Sequence, residues 1–221
     1  MISVILPTLD RSERLIKCLE SLNRNSTGEI ETVLIIDESD YKTRDAVIAF
    51  AKTPSFAKPI TLRVMAGHPT AMEKWNHGAA YAAHEWLMLA ADDIFFTPEW
   101  DKKSLETLNN GFLALRDNPM SIKEFEPHYM ATKTWLRNHN GRVLACPHYK
   151  QWGPDVEIAD RAKLIGDYKV SEAVIPHFHV YFHTAFNDAT YERGRVHWES
   201  DLRLLQKRKA AGYPNDFEGC L

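Results

Sequence analysis

Over the first hundred positions the apolar residues alternate between two rhythms. Residues 2–6, 32–36, 60–65 and 86–91 are short apolar runs that predict buried strands. Between them, residues 12–23 place Leu15, Ile16, Leu19 and Leu22 on one helical stripe. Residues 42–52 and 71–83 read as two further helices. Pro7 stops the first strand, Asp37 ends the second, and Pro54 lies just beyond the second helix.

Strands that are apolar on both faces and alternate with helices predict an α/β fold, a mostly parallel sheet flanked by helices. Right-handed crossovers bring every strand's carboxyl end to one edge. Residues 7–11, 37–40 and 92–93 are therefore expected to converge there. After Trp100 the rhythm is less regular. Residues 104–115 read as a helix running into a strand, and 120–127 as a loop. Residues 128–137 and 142–146 fit either element. Residues 155–165 read as a helix with Gly166 at C′. Residues 170–179 read as a strand interrupted at Pro176, and 198–211 as a charged helix. With no repeat, low-complexity stretch or Gly/Ser linker, residues 1–221 are taken as one domain, with 1–100 as its regular half and 101–221 as its irregular half.

Composition narrows the function. A formal charge of −3 gives no reason to expect nucleic acid or an acidic membrane surface. Lys207-Arg208-Lys209 is most simply a solvated helix face. Cys18, Cys146 and Cys220 lack metal-type spacing, and Cys18 falls within a helical pattern. A reducing, cytoplasmic setting is expected. The opening Ile2-Ser3-Val4-Ile5-Leu6-Pro7 has no basic leader followed by a long apolar stretch. No apolar run approaches the roughly 20 residues of a transmembrane segment.

Asp92-Asp93 then carries the most chemistry. A buried strand delivers two adjacent carboxylates to its carboxyl end, where open α/β sheets bind ligands. Such a pair repels unless a cation or donors compensate. Hard oxygen ligands suit Mg²⁺ or Mn²⁺, and these in turn suit a diphosphate. The competing reading is a solvated turn before Pro98.

The motifs upstream resemble a known family. Ile2-Ser3-Val4-Ile5-Leu6-Pro7-Thr8-Leu9-Asp10-Arg11, followed by Leu19-Glu20-Ser21-Leu22, looks like the opening of GT-A fold glycosyltransferases. The best match is their large inverting group that uses nucleotide-diphosphate sugars. Val33-Leu34-Ile35-Ile36-Asp37-Glu38-Ser39 resembles its second strand and nucleotide-binding acid. Lys74-Trp75-Asn76-His77-Gly78 resembles its Asn-x-Gly helix, and Glu85 through Asp93 its D-x-D strand. In the second half, Asp155-Val156-Glu157 resembles the acidic helix start that supplies the base, and Val174-Ile175-Pro176-His177-Phe178-His179 a strand whose His completes a metal site. Two positions depart from the pattern. Ala91 stands where the first acid of D-x-D sits, which leaves Asp93 as the direct ligand. Pro154 replaces the Glu before the base, which leaves the base open between Asp155 and Glu157.

The resemblance implies a GT-A domain with a donor half and a less regular acceptor half. It would move a sugar from a UDP- or GDP-type donor to an acceptor hydroxyl, with Mn²⁺ or Mg²⁺ and inversion. Pro7, Thr8 and Arg11 then sit where backbone N–H groups and a guanidinium grip phosphate, unless Arg11 is an ordinary surface residue. Asp37 accepts from a base or ribose, or closes a turn. Lys74 reaches a phosphate or lies on a solvated face. Asn76 bonds the base, the sugar or the strand-four loop, or it supports helix–sheet packing with Gly78. Asp92 bonds ribose or a metal-bound water, and Asp93 the cation. Asp155 is either the base or a helix cap. His179 is preferred over His177 as the third metal ligand, the alternative being a core or hydrogen-bonded histidine. His183 adds a His-x-His-x-x-x-His pattern, without local Cys or acid to support zinc. Trp152 stacks on the acceptor or fills the core. Asp188 contacts the acceptor, or it lies in a turn or caps a helix. Two rivals stand: a nucleotidyltransferase, which lacks its Gly-rich loop here, and a non-catalytic nucleotide-sugar or glycan-binding module.

Overall fold

The first hundred residues carry out the predicted alternation: β1 (Ile2–Pro7), α1 (Ser12–Asn25), β2 (Ile30–Asp37), α2 (Tyr41–Ala51), β3 (Ile60–Met65), α3 (Ala71–Tyr81) and β4 (Trp86–Leu89). They belong to a computed structural model that describes residues 1–54, 56–107, 110–117, 126–179, 184 and 186–217. The rest of the chain adds α4 (Trp100–Thr107), β5 (Phe112–Arg116), β6 (His128–Thr132), α5 (Lys133–His139), α6 (Pro154–Leu164), β7 (Val170–Val174), α7 (Ala189–Arg195) and α8 (Trp198–Ala210).

One seven-stranded sheet spans both halves in the order β3-β2-β1-β4-β6-β5-β7. β1 to β4 are parallel, and β6 alone runs against its neighbours β4 and β5. From β1 the chain builds outward to β2 and β3, then returns to lay β4 on the other side. The topological switch point therefore lies between the carboxyl ends of β1 and β4.

Layering follows from alternation along the strands. Val4, Leu6, Leu34 and Ile36 face Leu15, Leu19 and Leu22 of α1. Ile5, Val33 and Ile35 face the opposite layer, with Met72 of α3 and Ile158 of α6. Each such fully buried Leu or Ile stabilises the fold by about 1.5–3 kcal/mol. α3 sits unusually close to the sheet. A Cβ on Gly78 would lie 2.5 Å from Ile35 and 2.6 Å from Ile5. A capping box starts this helix, with Thr70 and Glu73 each accepting from the other's backbone N–H. Cap and close packing together fix Lys74 and Asn76.

Several boundaries differ from those predicted. β2 extends back to Ile30 because Glu31, polar yet buried, accepts from Ser3 Oγ and the Ala83 N–H. α4 begins at Trp100, four residues before the predicted start. Residues 128–137 split into strand and helix at Thr132, whose hydroxyl accepts from the Trp135 N–H. Residues 142–146 form no regular element. Most of the predicted 120–127 loop lies outside the described residues. Asp188 caps α7 by accepting from Thr190 N and Tyr191 N, one of the roles the sequence left open. Gly166 takes the C′ position after α6 in left-handed geometry (φ 80°), as expected.

Candidate active site

Thr8 leaves β1 where Asp92 leaves the β4 edge, and its Oγ1 donates to Asp92 Oδ2 at 2.6 Å. Arg11, at the N-cap of α1, donates from Nη1 to Asp92 Oδ1 at 3.0 Å and lies 3.5 Å from Asp93 Oδ2. Its other edge forms a fork on Asp188, Nε to Oδ2 at 3.0 Å and Nη2 to Oδ1 at 2.9 Å. The guanidinium lies 4.0 Å from the centre of the Tyr191 ring, which covers it. So Thr8, Arg11, Asp92, Asp93 and Asp188 form one cluster, and Pro7 ends the strand that places it.

Asp93 is held from three sides. Tyr191 Oη donates to Oδ2 at 2.7 Å, Arg11 flanks that oxygen, and His177 Nε2 stands 3.2 Å from Oδ1. His177 reaches Asp93 because residues 176–178 run back along the strand-four loop. Phe95 N donates to Pro176 O, and Phe178 N to Asp93 O. Burial alone would raise the Asp93 carboxyl, but His177 and Arg11 hold it below the usual carboxylate range. Asp92 moves the other way, raised by burial and by the Asp93 charge against the pull of Arg11. Burial opposes charge on His177, yet Asp93 and Asp117 raise its pKa to about 9. Burial and Asp93 keep the Tyr191 phenol protonated, hence a donor.

Asp37, at the end of β2, is ion-paired with Lys74. Lys74 also donates to the Thr8 carbonyl at 3.3 Å. This buried pair therefore backs the Thr8 turn from behind.

Asp155, on α6, lies within electrostatic reach of His177. The sequence left it as base or cap, but the cap of α6 is Gly153, at φ 97°, followed by Pro154. Asp155 is recessed but partly exposed, and its Oδ1 accepts from the Val156 N–H at 3.0 Å. Burial raises its pKa to about 6, against the Val156 N–H and the His177 charge. Trp152 stands two residues before Pro154 on a loop clamped by Asp201, which accepts from the backbone N–H groups of residues 150–152. Its ring meets His179 edge-on at 6.2 Å and Trp198 at 4.8 Å. His179 in turn meets Tyr191 edge-on at 4.7 Å. Burial and the His177 charge lower the His179 pKa to about 4.

Two expected site residues point elsewhere. Asn76 donates to Ala145 O and accepts from Leu144 N and Ala145 N, so its amide fastens the irregular 144–145 segment. The expectation that it binds donor is corrected on that ground. Glu157 is buried among Tyr149, Arg161 and Arg208, with the Arg161 Nη2 and Arg208 Nε contacts both at 2.8 Å. Burial would raise its carboxyl, but the two arginines pull it below the ordinary value. A carboxylate neutralised by two arginines is a poor base, and Glu157 is corrected to a structural role. It is His177, rather than the His179 preferred from the sequence, that stands against Asp93. His183 lies outside the described residues.

The family model for glycosyl transferase family 2 matches residues 3–162. The chain belongs to glycosyl transferase family 2. Among curated proteins, an uncharacterized glycosyltransferase of Haemophilus influenzae is 28% identical over 108 residues, 49% of this chain and 34% of that protein. The chain thus spans about a third of that relative's length. Among solved structures, the mannosyltransferase PcManGT of Pyrobaculum calidifontis, in complex with GDP-Man and Mn²⁺, superposes with a TM-score of 0.64 at 15% identity. That alignment covers 80% of this chain and 56% of the other. Glucosyl-3-phosphoglycerate synthase of Mycobacterium tuberculosis, in complex with Mn²⁺, UDP-glucose and phosphoglyceric acid, gives 0.64 at 15% identity, covering 98% and 81%. At such identities the likeness is one of fold, the GT-A fold.

Whether this family 2 domain has donors for a divalent cation is answered by Asp93. Its Oδ1 is buried, accepts no hydrogen bond of good geometry among the described residues, and faces His177 Nε2. Neighbouring ligands about 2.1 Å from an octahedral cation lie about 3 Å apart, close to the observed 3.2 Å. Among the described residues no three His, Cys, Asp or Glu side chains form a set that could hold a metal alone. The chain therefore offers two donors, the Asp93 carboxylate and, once a cation displaces its proton, the His177 imidazole, and a cation would need its remaining ligands from a bound diphosphate and water.

Tyr191, Arg14 and Asp117 escaped the sequence reading. Arg14 donates to Tyr191 Oη at 3.0 Å and to Phe186 O at 3.1 Å. These residues belong to no motif, and contacts across 177 positions leave no local signal.

Proposed function

We propose that this domain transfers a glycosyl group from a UDP- or GDP-type sugar donor to an acceptor hydroxyl, with inversion. The observation that carries the reading is the pairing of Asp92-Asp93 with Arg11 at the β1–β4 switch point, with the recessed Asp155 carboxyl within electrostatic reach of His177. No described helix is long and apolar enough to cross a membrane. The reading places the reaction in the cytoplasm.

In this reading Arg11 binds the diphosphate in fork geometry, exchanging Asp188 for phosphate oxygens. Thr8 orients Asp92 toward the donor ribose. Asp37, tied to Lys74, closes the base end of the site. Asp93 and His177 would hold Mn²⁺ or Mg²⁺, which when bound supplies a Lewis acid beside the departing diphosphate. Trp152 stacks against the acceptor ring, with Asp188 at the acceptor entrance. Asp155 takes the proton of the attacking hydroxyl, which displaces the nucleoside diphosphate from the anomeric carbon in one step.

The test is a screen of UDP- and GDP-sugars by thermal shift, with and without Mn²⁺, on wild type and Asp93→Ala, followed by an assay for nucleoside diphosphate release. A ligand that binds the folded state raises the melting temperature by mass action. Stabilisation by one nucleotide, weakened in Asp93→Ala and accompanied by acceptor-dependent release, supports the reading. No response to any nucleotide in wild type overturns the donor site.

A further inference from the structure

β5 and β7 are parallel neighbours with Arg116 opposite Val174, and Ile175 N donates to Arg116 O at 2.7 Å. The chain therefore leaves both strands side by side at one edge. Asp117 comes directly after β5, and its carboxylate is only 1% exposed. Its backbone N–H donates to Glu126 Oε2 at 3.1 Å. His177 comes off the neighbouring strand and enters between two carboxylates. Nε2 stands 3.2 Å from Asp93 Oδ1, and Nδ1 stands 3.8 Å from Asp117 Oδ2. The His128 ring packs edge-on against the same imidazole at 4.8 Å.

An imidazole that binds a cation through one nitrogen must carry its hydrogen on the other. A carboxylate facing that other nitrogen selects the tautomer, fixes the ring plane and makes the ligand more basic. Asp117 stands on that side, sealed from water. At 3.8 Å Nδ1 faces the carboxylate just beyond the length of a normal hydrogen bond.

We propose that Asp117 is a positioning residue that holds the hydrogen on His177 Nδ1 and so presents Nε2, beside Asp93, to a divalent cation. The inference rests on the metal site of the proposed function. It predicts that removal of Asp117 weakens the cation without touching the nucleotide contacts made by the first half of the chain.

The experiment titrates Mn²⁺ against wild type, Asp117→Ala, Asp117→Asn and His177→Ala, in the presence of UDP or GDP, and reads melting temperature. In Asp117→Ala the Mn²⁺ concentration for half-maximal stabilisation rises about 10- to 100-fold. Asp117→Asn, whose carbonyl still accepts from Nδ1–H, shows a smaller rise. Stabilisation by nucleotide without Mn²⁺ is the same in wild type and both Asp117 variants. If Asp117 only supports the fold, its variants melt lower without metal but keep the wild-type Mn²⁺ midpoint, and that overturns the proposal. If Mn²⁺ leaves wild type unmoved while a nucleotide stabilises it, the metal reading itself falls and takes this inference with it. Asp117→Asn keeps the shape of the side chain, so the test survives failure of the alanine variant to fold.

Discussion

Arg11 and Asp188 lie 177 positions apart and are joined by two parallel hydrogen bonds of 3.0 and 2.9 Å. The same guanidinium neutralises Asp92, so one side chain ties α7 to the switch point of the sheet. The partners of Arg11 are not equal. The Arg11 and Asp92 side chains are 8% and 5% exposed, whereas Asp188 is 31% exposed.

Removing Arg11 therefore strands buried charge, and removing Asp188 does not. Arg11→Ala is expected to cost about 3–5 kcal/mol of stability, the range for a buried pair that loses one partner. Asp188→Asn should cost about 1 kcal/mol or less. Arg11→Lys should recover only part of the loss, because an ammonium cannot span the fork. Urea unfolding of the three variants checks the order. Equal losses in Arg11→Ala and Asp188→Asn would contradict it.

Glu157 provides the contrast between an acid of the fold and an acid of the site. Its carboxylate serves Arg161 and Arg208 and is sealed from water. Glu157→Gln should destabilise by about 3 kcal/mol or more, while activity per folded molecule persists below the melting temperature. The pH dependence has a definite sign. The folded carboxyl titrates below its unfolded value of about 4.3. Its contribution is then fully present above that pH and disappears as pH falls through the lower folded value. The variant should lose this part of the acid sensitivity, as read from melting temperature between about pH 5 and pH 2. Loss of turnover without loss of stability would return Glu157 to the chemistry.

Gly78 makes a third prediction, about packing. A methyl group there would sit 2.5–2.6 Å from Ile35 and Ile5. Gly78→Ala should push α3 off the sheet at about 1–3 kcal/mol. Because Lys74 rides on the same helix, nucleotide binding should weaken as well. Denaturation and a nucleotide titration on one sample test both. Wild-type behaviour in both would mean that α3 relaxes at no cost.

What the chain disclosed in advance follows physical reach. Alternating apolar runs set the parallel strands, because hydrophobic period is a local property. Asp92-Asp93 and Arg11 were legible because topology sends strand ends to one edge wherever their partners lie. The identity of the histidine was not. His177 and His179 share one face of an extended segment, and only the bridge between Ile94 and His177 selects the first. Nor was the role of Asn76 or Glu157 legible. Asn76 had to find backbone some 69 positions away, and Glu157 had to find Arg208 some 51 positions away. β2 was read short because Glu31 looks like a solvated residue until Ser3 and the Ala83 N–H are placed beside it.

Asp155 makes the last prediction, about the chemistry itself. A general base works when it is unprotonated, and its efficiency peaks when its pKa approaches the working pH. Burial brings the Asp155 carboxyl to about 6. The rate of transfer should therefore hold through neutral pH and fall about tenfold per unit below pH 6, following a single proton. Asp155→Asn should lower kcat by about 10²- to 10⁴-fold and remove that acid limb from whatever rate remains. Stability should move in the opposite sense. A carboxyl raised above its unfolded value binds its proton more tightly in the fold, so its ionisation opposes folding between about pH 3.9 and pH 6. The neutral amide does not bear that cost, and Asp155→Asn should be at least as stable as wild type at pH 7. An inactive variant with an unchanged or raised melting temperature marks Asp155 as a base. An active one with an intact acid limb would move that role to another group.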